Sequence, residues 1–371
     1  MQLNHSEQAL GAELTTEFLE ALEERAVEFA WGAGGLLHRH FAAGVKAESK
    51  SKTHYDPVTE ADRESEAYLR EQIHAAYPEH SILGEEGDDL VGTSDFLWVL
   101  DPLDGTANFV NRLPFFAVSV GVLHQGQPVA AAIYTPTSEL LTESVFHAHL
   151  GGQTMLSPQA RLRRGASGDR VASGDNEVPV KVADSPQPEP AHLSGLPGNY
   201  WRSIRFSGDV RRSPGEVRTL GSIALELSMT ACGTLQYAIF NSPKIWDVAA
   251  GVLLVQQAGG LPLVRHGGNG VWSPFHRFEP RSGEPKGLDA YRKWSGTIIV
   301  GNPEMAWAVA NNFHRPVQLA RKVGSFVSKV RQQLPLFGGN GMRKPSGPAK
   351  DETAPSPERD ANAGSMGNRS P

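Results

Sequence analysis

Cysteine is almost absent: Cys232 is the only one in 371 residues. One thiol cannot close an internal disulfide, which excludes a disulfide-stapled fold and fits a reducing compartment. It sits in Met229-Thr230-Ala231-Cys232-Gly233, inside an apolar helical pattern, so packing rather than reactivity accounts for it. No apolar run reaches the length of a membrane-spanning helix, and the polar, acidic N-terminus lacks a signal-peptide pattern. A cytoplasmic location without a transmembrane segment is therefore expected. Positive charge is not in excess either, with 35 Lys and Arg against 41 Asp and Glu and a net charge of −6. That balance argues against nucleic acid as a partner, because binding a phosphate backbone needs a basic surface. What is present, 39% hydrophobic and 20% charged residues, suits a globular chain with room for two sub-domains around extensive cores.

The chain is organised around Asp101-Pro102-Leu103-Asp104-Gly105-Thr106-Ala107-Asn108-Phe109, which follows the apolar run Phe96-Leu97-Trp98-Val99-Leu100. The run reads as a buried strand bounded by turn chemistry. Two carboxylates so close beyond a strand raise each other's pKa, and only a metal or strong donors keep both ionised. Pro102 stiffens the turn, Gly105 permits an unusual backbone angle or a close ligand, and Thr106 adds a hydroxyl beside free N–H groups. Hard oxygen ligands suit Mg²⁺, and N–H groups at a helix start suit phosphate. An Asx-type turn after a core strand is the plain alternative. The paired acids outweigh it.

This segment resembles the signature of the inositol monophosphatase family of Mg²⁺-dependent phosphatases. Three further segments match in the same order: Asp56-Pro57-Val58-Thr59-Glu60-Ala61-Asp62, Gly84-Glu85-Glu86-Gly87 and Trp246-Asp247-Val248-Ala249-Ala250-Gly251. The resemblance spans roughly residues 15 to 313. It implies an α+β fold, the layered αβαβα sandwich of the sugar-phosphatase type, with the site between its halves and a homodimer as the family's assembly.

In chain order, Thr15 to about Phe41 reads as a long helix with Phe18, Leu19, Leu22, Ala26, Phe29 and Ala30 on one face, ended or bent by Gly32 to Gly35. His38, Arg39 and His40 read as its solvated end. Residues 44–56 read as a hairpin or loop, in which Lys50 or Lys52 takes the place of the family's site-facing lysine. Thr59 and Asp62 form a capping-box-like start for a helix to about Ala76. Asp88, Asp89 and Asp95 read as a mobile acidic loop. An N-terminal half, about 1–150, has a largely antiparallel sheet with a hairpin at Gln125-Gly126. Residues 157–214, rich in Pro, Gly, Ser and Arg, read as a variable, solvated insertion. The C-terminal half, about 215–313, holds a helix from Ile223 and a helix from Ala249 to Ala258 with Asp247 at its start, closed by Gly259-Gly260. Residues 314–336 read as a basic amphipathic helix and 337–371 as a disordered tail.

The resemblance assigns the chemistry. Two or three Mg²⁺ ions per site are expected, with Glu85, Asp101 and the Leu103 carbonyl at the first, and Asp101, Asp104 and Asp247 at the second. Glu85 and Thr106, the latter backed by Asp62, would orient the attacking water. Gly105, Thr106, Asp247 and Ser222 would meet the substrate. The implied reaction is direct hydrolysis of a small-molecule phosphate monoester. Inositol phosphate, 3′-phosphoadenosine 5′-phosphate, fructose 1,6-bisphosphate and histidinol phosphate all remain open, as does a metal-binding scaffold without catalysis. One departure bears on the substrate. Family members acting on inositol phosphate carry a glutamate seven residues before the Trp-Asp aspartate, and here that place is Phe240, with Asn241 beside it. A ring there suits a flat leaving group, such as an adenosine or an imidazole, better than an inositol hydroxyl.

Overall fold

A computed structural model describes residues 14–44, 48–49, 57–138, 142–158, 162–164, 170–172, 177–267, 270–279 and 287–315. The expectations for Lys50, Lys52 and Asp56, for the basic helix beyond Arg315 and for the 337–371 tail lie outside these residues. Helix α1 (Thr16–Ala43) starts where Thr15 caps it and buries Leu19, Leu22, Ala26, Phe29, Ala30, Ala33 and Leu37 at helical spacing. Gly32 and Gly34 neither end nor bend it away. A Cβ at Gly32 would overlap Tyr68, and one at Gly34 would overlap the ring of Tyr134, so these glycines let α1 press onto its neighbours. The end of α1 is not free either, since His38 pairs with Glu143 and His40 with Glu64, each at 2.5 Å. Helix α2 (Glu60–Ala76) opens on the Thr59/Asp62 capping box.

The first sheet contains β1 (Ser81–Gly84), β2 (Phe96–Asp104), β3 (Ala117–His124), β4 (Gln127–Thr135), β5 (Ser144–His149), β6 (Met155–Pro158) and β7 (Val178–Pro179). Its spatial order is β7-β6-β5-β4-β3-β2-β1, antiparallel throughout except for the parallel β1/β2 pair. A one-turn helix, α3 (Thr106–Val110), follows β2 directly. The second sheet contains β8 (Leu193–Gly195), β9 (Glu216–Arg218), β10 (Leu235–Asn241), β11 (Leu263–Arg265), β12 (Ser273–Pro274) and β13 (Thr297–Gly301), in the order β9-β8-β10-β13-β11-β12. Helices α4 (Ile223–Ala231) and α5 (Ile245–Gln257) lie between the sheets, and α6 (Pro303–Asn311) covers the far face of the second.

Strand alternation builds these layers. Ile82, Trp98, Leu100, Val120, Ala132 and Tyr134 face α1 and α2, while Leu83, Leu97, Val99, Ala131 and Ile133 face α4 and α5. In the second sheet Ala238, Phe240, Val264 and Ile298 face the same middle helices, and Tyr237, Ile239, Leu263 and Ile299 face α6. The result is the αβαβα sandwich. Residues 157–214 depart from the reading as a solvated insertion. Their described parts supply the end of β6 together with β7 and β8, and bury Leu196, Ile204 and Val210. Their apolar residues are too widely spaced to show a period, yet Val180 and Val182 join the central core and Leu196 and Ile204 the outer one. Helix α5 begins at Ile245 rather than Ala249, which makes Asp247 its third residue.

The middle layer depends on one close approach. A Cβ at Gly251 in α5 would overlap the Leu227 side chain in α4. Gly251→Val is therefore expected to cost about 1–3 kcal/mol by overpacking, read from urea unfolding; an unchanged midpoint would show that the layer can open there.

A second constraint ties α1 to β5. His147 is 5% exposed, with Nδ1 2.7 Å from Glu23 Oε1 and Nε2 3.0 Å from Ser157 Oγ and 3.3 Å from Glu177 Oε1. Burial opposes its charge, but hydrogen bonds to Glu177 and Glu23 outweigh it and bring its pKa to about 9. Because this lies above the usual 6.5, the stabilisation is complete below about pH 6.5 and lost as pH rises through about 9. Unfolding free energy should fall by about 1–3 kcal/mol across that window in the wild type and stay flatter in His147→Gln.

Candidate active site

Strand parity aims Asp101. Leu97 and Val99 face the middle layer, so Asp101, two residues on, faces it too, and it is 1% exposed. The register of β2 against β3 then shifts between Asp101 and Asp104, which turns the second acid towards the same layer. Asp101 Oδ1 accepts the Leu103 N–H at 3.1 Å. Asp104 Oδ2 accepts the Ser222 hydroxyl at 2.8 Å and the Ala224 N–H at 2.5 Å, binding the turn to the first turn of α4. Asp247 Oδ2 accepts the Lys244 N–H at 2.8 Å across the first turn of α5. Both middle helices thus present their N-termini to this cluster, where the backbone dipole favours negative charge.

The carboxylates feel one another. Burial first, then Glu85, Asp104 and Asp247, push the Asp101 carboxyl well above its usual range. Asp104 is raised to about 6 by burial, with Glu85 adding to it against the hydrogen bonds from Ala224 and Ser222. Asp247 is raised to about 8 by burial, Asp104 and Glu85. Four acids from three separate segments therefore share one region. Their donor set is hard oxygen throughout, which fits Mg²⁺. Among the described residues no three Asp, Glu, His or Cys side chains converge tightly enough to hold an ion by themselves. An ion here would complete its shell with backbone carbonyl and water, as Mg²⁺ commonly does.

Beside the acids stands a hydroxyl relay. The Thr106 hydroxyl lies 3.2 Å from Asp62 Oδ1 and 3.1 Å from the Leu103 carbonyl, both acceptors. Asp62, 1% exposed, is fixed in turn by the Thr59 hydroxyl at 2.5 Å and the Thr59 N–H at 2.8 Å. Gly105 has φ 91°, and a Cβ there would stand 2.9 Å from the Phe115 carbonyl, so glycine is required on both counts.

A model described as the inositol monophosphatase family matches residues 19–294. The chain belongs to the inositol monophosphatase family. It is 33% identical over 299 residues to an inositol-1-monophosphatase of Rhizobium meliloti, covering 80% of this chain and 97% of that one. It is 31% identical to a protein of Escherichia coli named Nus factor SuhB, over 80% of this chain and 97% of that one. Among solved structures, the extragenic suppressor protein suhB of Bartonella henselae is similar at TM-score 0.58 and 25% identity, covering 78% of this chain and 97% of that one. Membership places the chain among phosphatases.

Two expectations for this inositol monophosphatase family member need correction. Phe240 is not a substrate-facing ring: it is 4% exposed and belongs to the central core with Ile245 and Trp246, because it sits on the inward face of β10. The acidic loop is not loose throughout. Asp89 pairs with Arg292 at 2.5 Å, and Asp95 Oδ2 accepts from the Gln125 amide at 2.8 Å.

The sequence reading passed over the residues that hold the Glu85 loop. Glu66, 3% exposed, accepts the N–H groups of Glu86 and Gly87 at 2.7 Å each and pairs with Arg70 at 2.7 Å. Arg292 donates to the Gly84 carbonyl at 2.9 Å and lies over the Trp246 ring at 5.3 Å, joining that loop to the start of α5. Glu66 lies four residues after Asp62, on the same side of α2, which was the one available signal.

Ionising acids that are raised in the folded state costs stability, so with divalent ions chelated the protein should lose stability as pH rises from about 4 to about 8. Asp247→Asn keeps the acceptor for the Lys244 N–H and removes one charge. Above pH 8 in EDTA it should melt about 2–4 °C higher than wild type; equal melting curves would mean that the acids do not repel in the folded protein.

Proposed function

We propose that the chain is a Mg²⁺-dependent phosphatase that hydrolyses a small-molecule phosphate monoester with water. The observation that carries this reading is the convergence of four acids: Asp104 is held at the start of α4, Asp247 lies at the start of α5, Asp101 is buried beside them, and Glu85 acts on all three. Glu85, Asp101 and the Leu103 carbonyl would hold one Mg²⁺ and Asp101, Asp104 and Asp247 a second, a pair that supplies charge at both the attacking and the leaving oxygen of an in-line displacement. With its O–H donating to Asp62 or to the Leu103 carbonyl, the Thr106 oxygen keeps lone pairs that can accept from a water. That would fix the direction from which the water approaches phosphorus. Glu85 would take up the proton that the water loses. Backbone N–H groups at Gly105 and Thr106 would hold the phosphoryl oxygens at the start of α3. The new P–O bond forms to water as the ester P–O bond breaks, and the alcohol departs with a proton.

Relatives named Nus factor leave a role without catalysis conceivable for a member of this family. Retention of every recognised carboxylate supports the catalytic reading. For the substrate, the place of the family's sugar-binding glutamate supplies no acceptor, so an inositol hydroxyl would lose its partner, at a cost of about 1–3 kcal/mol. Since the Phe240 ring is itself in the core, it gives no reason to prefer a nucleotide.

The test is phosphate release with Mg²⁺ across inositol 1-phosphate, 3′-phosphoadenosine 5′-phosphate, fructose 1,6-bisphosphate and histidinol phosphate. At least one should turn over, with kcat/KM for inositol 1-phosphate below that of the best. Asp104→Asn, which keeps its acceptor for Ser222 and Ala224, should lower kcat about 100-fold or more and leave the fold intact. Replacing Mg²⁺ by Ca²⁺ should inhibit, because Ca²⁺ takes a looser, larger shell. Full activity in Asp104→Asn would end the two-ion reading.

A further inference from the structure

The outer face of the second sheet carries a cationic cluster that the phosphatase site does not use. Arg265, at the end of β11, is 8% exposed, and its guanidinium lies in the corner formed by two nearly perpendicular rings, Trp272 at 4.5 Å and Phe313 at 4.6 Å. Its Nε and Nη2 atoms are buried and have no hydrogen-bond partner among the described residues, and the same holds for the adjacent Trp272 Nε1. The nearest charge acting on Arg265 has the same sign: Arg315, whose Nη2 donates to the Thr297 hydroxyl at 2.5 Å. Thr297 is the strand partner of Arg265 across β13 and β11, so the arginines meet over neighbouring strands. Among the described residues no carboxylate pairs with either arginine.

An acceptor is what this arrangement wants. Ring faces favour a cation, but buried N–H groups without an acceptor are costly, more so on a charged group, and a second guanidinium adds repulsion. Burial and Arg315 both push the Arg265 guanidinium below its usual acidity constant, which is the same conflict seen as a titration. The two rings confine the guanidinium, and its unpaired Nε–Nη2 edge is a fork of the kind that two oxygens of one oxyanion satisfy together. The indole N–H adds a neutral donor, and the exposed Arg315 adds a positive charge.

We propose that Arg265, Arg315 and Trp272 form a binding site for a small oxyanion of the phosphate class, separate from the acidic catalytic cluster. The two places differ in the sign they select. The catalytic carboxylates repel an anion unless divalent ions are bound, whereas the Arg265 site needs none. The site lies on the α6 side of the second sheet, and the acids lie on the side of the middle helices.

This difference makes the site testable with the full-length chain in EDTA. Sodium phosphate is titrated at constant ionic strength, balanced with NaCl, and melting is followed for wild type, Arg315→Gln and Arg265→Met. Wild type should gain melting temperature saturably with phosphate. Arg315→Gln should melt like wild type without phosphate and bind it about tenfold more weakly. Arg265→Met keeps an aliphatic stem against the rings and should abolish the gain; if it does not fold, Arg315→Gln alone decides. As a second readout, the Trp272 indole N–H resonance, assigned with Trp272→Phe, should move with phosphate at the same half-saturation. Sodium acetate in place of phosphate should give a weaker gain. No saturable gain beyond NaCl, or the same phosphate dependence in Arg315→Gln as in wild type, would overturn the assignment.

Discussion

Everything at the catalytic end is arranged around the repulsion among Glu85, Asp101, Asp104 and Asp247. Two unit charges about 4 Å apart repel by about 4 kcal/mol at an effective dielectric near 20. The helix ends of α4 and α5 return only about 0.3–1 kcal/mol each. Hydrogen bonds from Leu103, Ser222, Ala224 and Lys244 anchor the acids without neutralising them. The balance must be met by protons or by cations. Raised values of about 6 for Asp104 and about 8 for Asp247 are the proton solution. A divalent ion is the other, and the two compete for the same oxygens.

The layers exist to hold that repulsion in place. Asp101 and Asp104 come from β2, in the first sheet; Asp247 comes from α5, between the sheets; Glu85 comes from the loop after β1. Without close packing these supports would drift apart. The Gly251 approach between α5 and α4, and the Arg292 link from Gly84 to Trp246, lock the segments to one another. Arg292 lies 203 residues beyond Asp89 and 208 beyond Gly84, so contact here is a product of the sandwich and not of any local motif.

Legibility in the sequence followed the range of the interaction. Thr59 and Asp62 cap α2 within one turn, the Phe18-to-Ala30 stripe repeats within one helix, and Gln125-Gly126 turns within one hairpin; each was readable because its partners are close in the chain. The acids of the site were readable for a different reason, as their motifs resemble a family's. What stayed hidden was buried charge satisfied at a distance. Glu66 looks like a surface acid paired with Arg70, yet it is closed over by two N–H groups some twenty residues away. His147 looks like a strand histidine, yet Glu23 reaches it from α1. Composition misled over residues 157–214, where Pro and Arg obscured strands too short to show a period.

Parity on β10 separates the acidic cluster from the Arg265 cluster. Phe240 faces inward, towards the helices whose N-termini meet the acids, and Asn241 faces outward, the side shared by Thr297 and Arg265 on the neighbouring strands. A slip of one residue at this strand end would exchange a buried ring for an amide on the catalytic side. The register is held against that slip by five consecutive pairs with β13, from Tyr237↔Gly301 to Asn241↔Thr297. An apolar residue at the inward position is therefore built into the sheet rather than left to a loop. The ring at this position is thereby fixed by pairing along the strand.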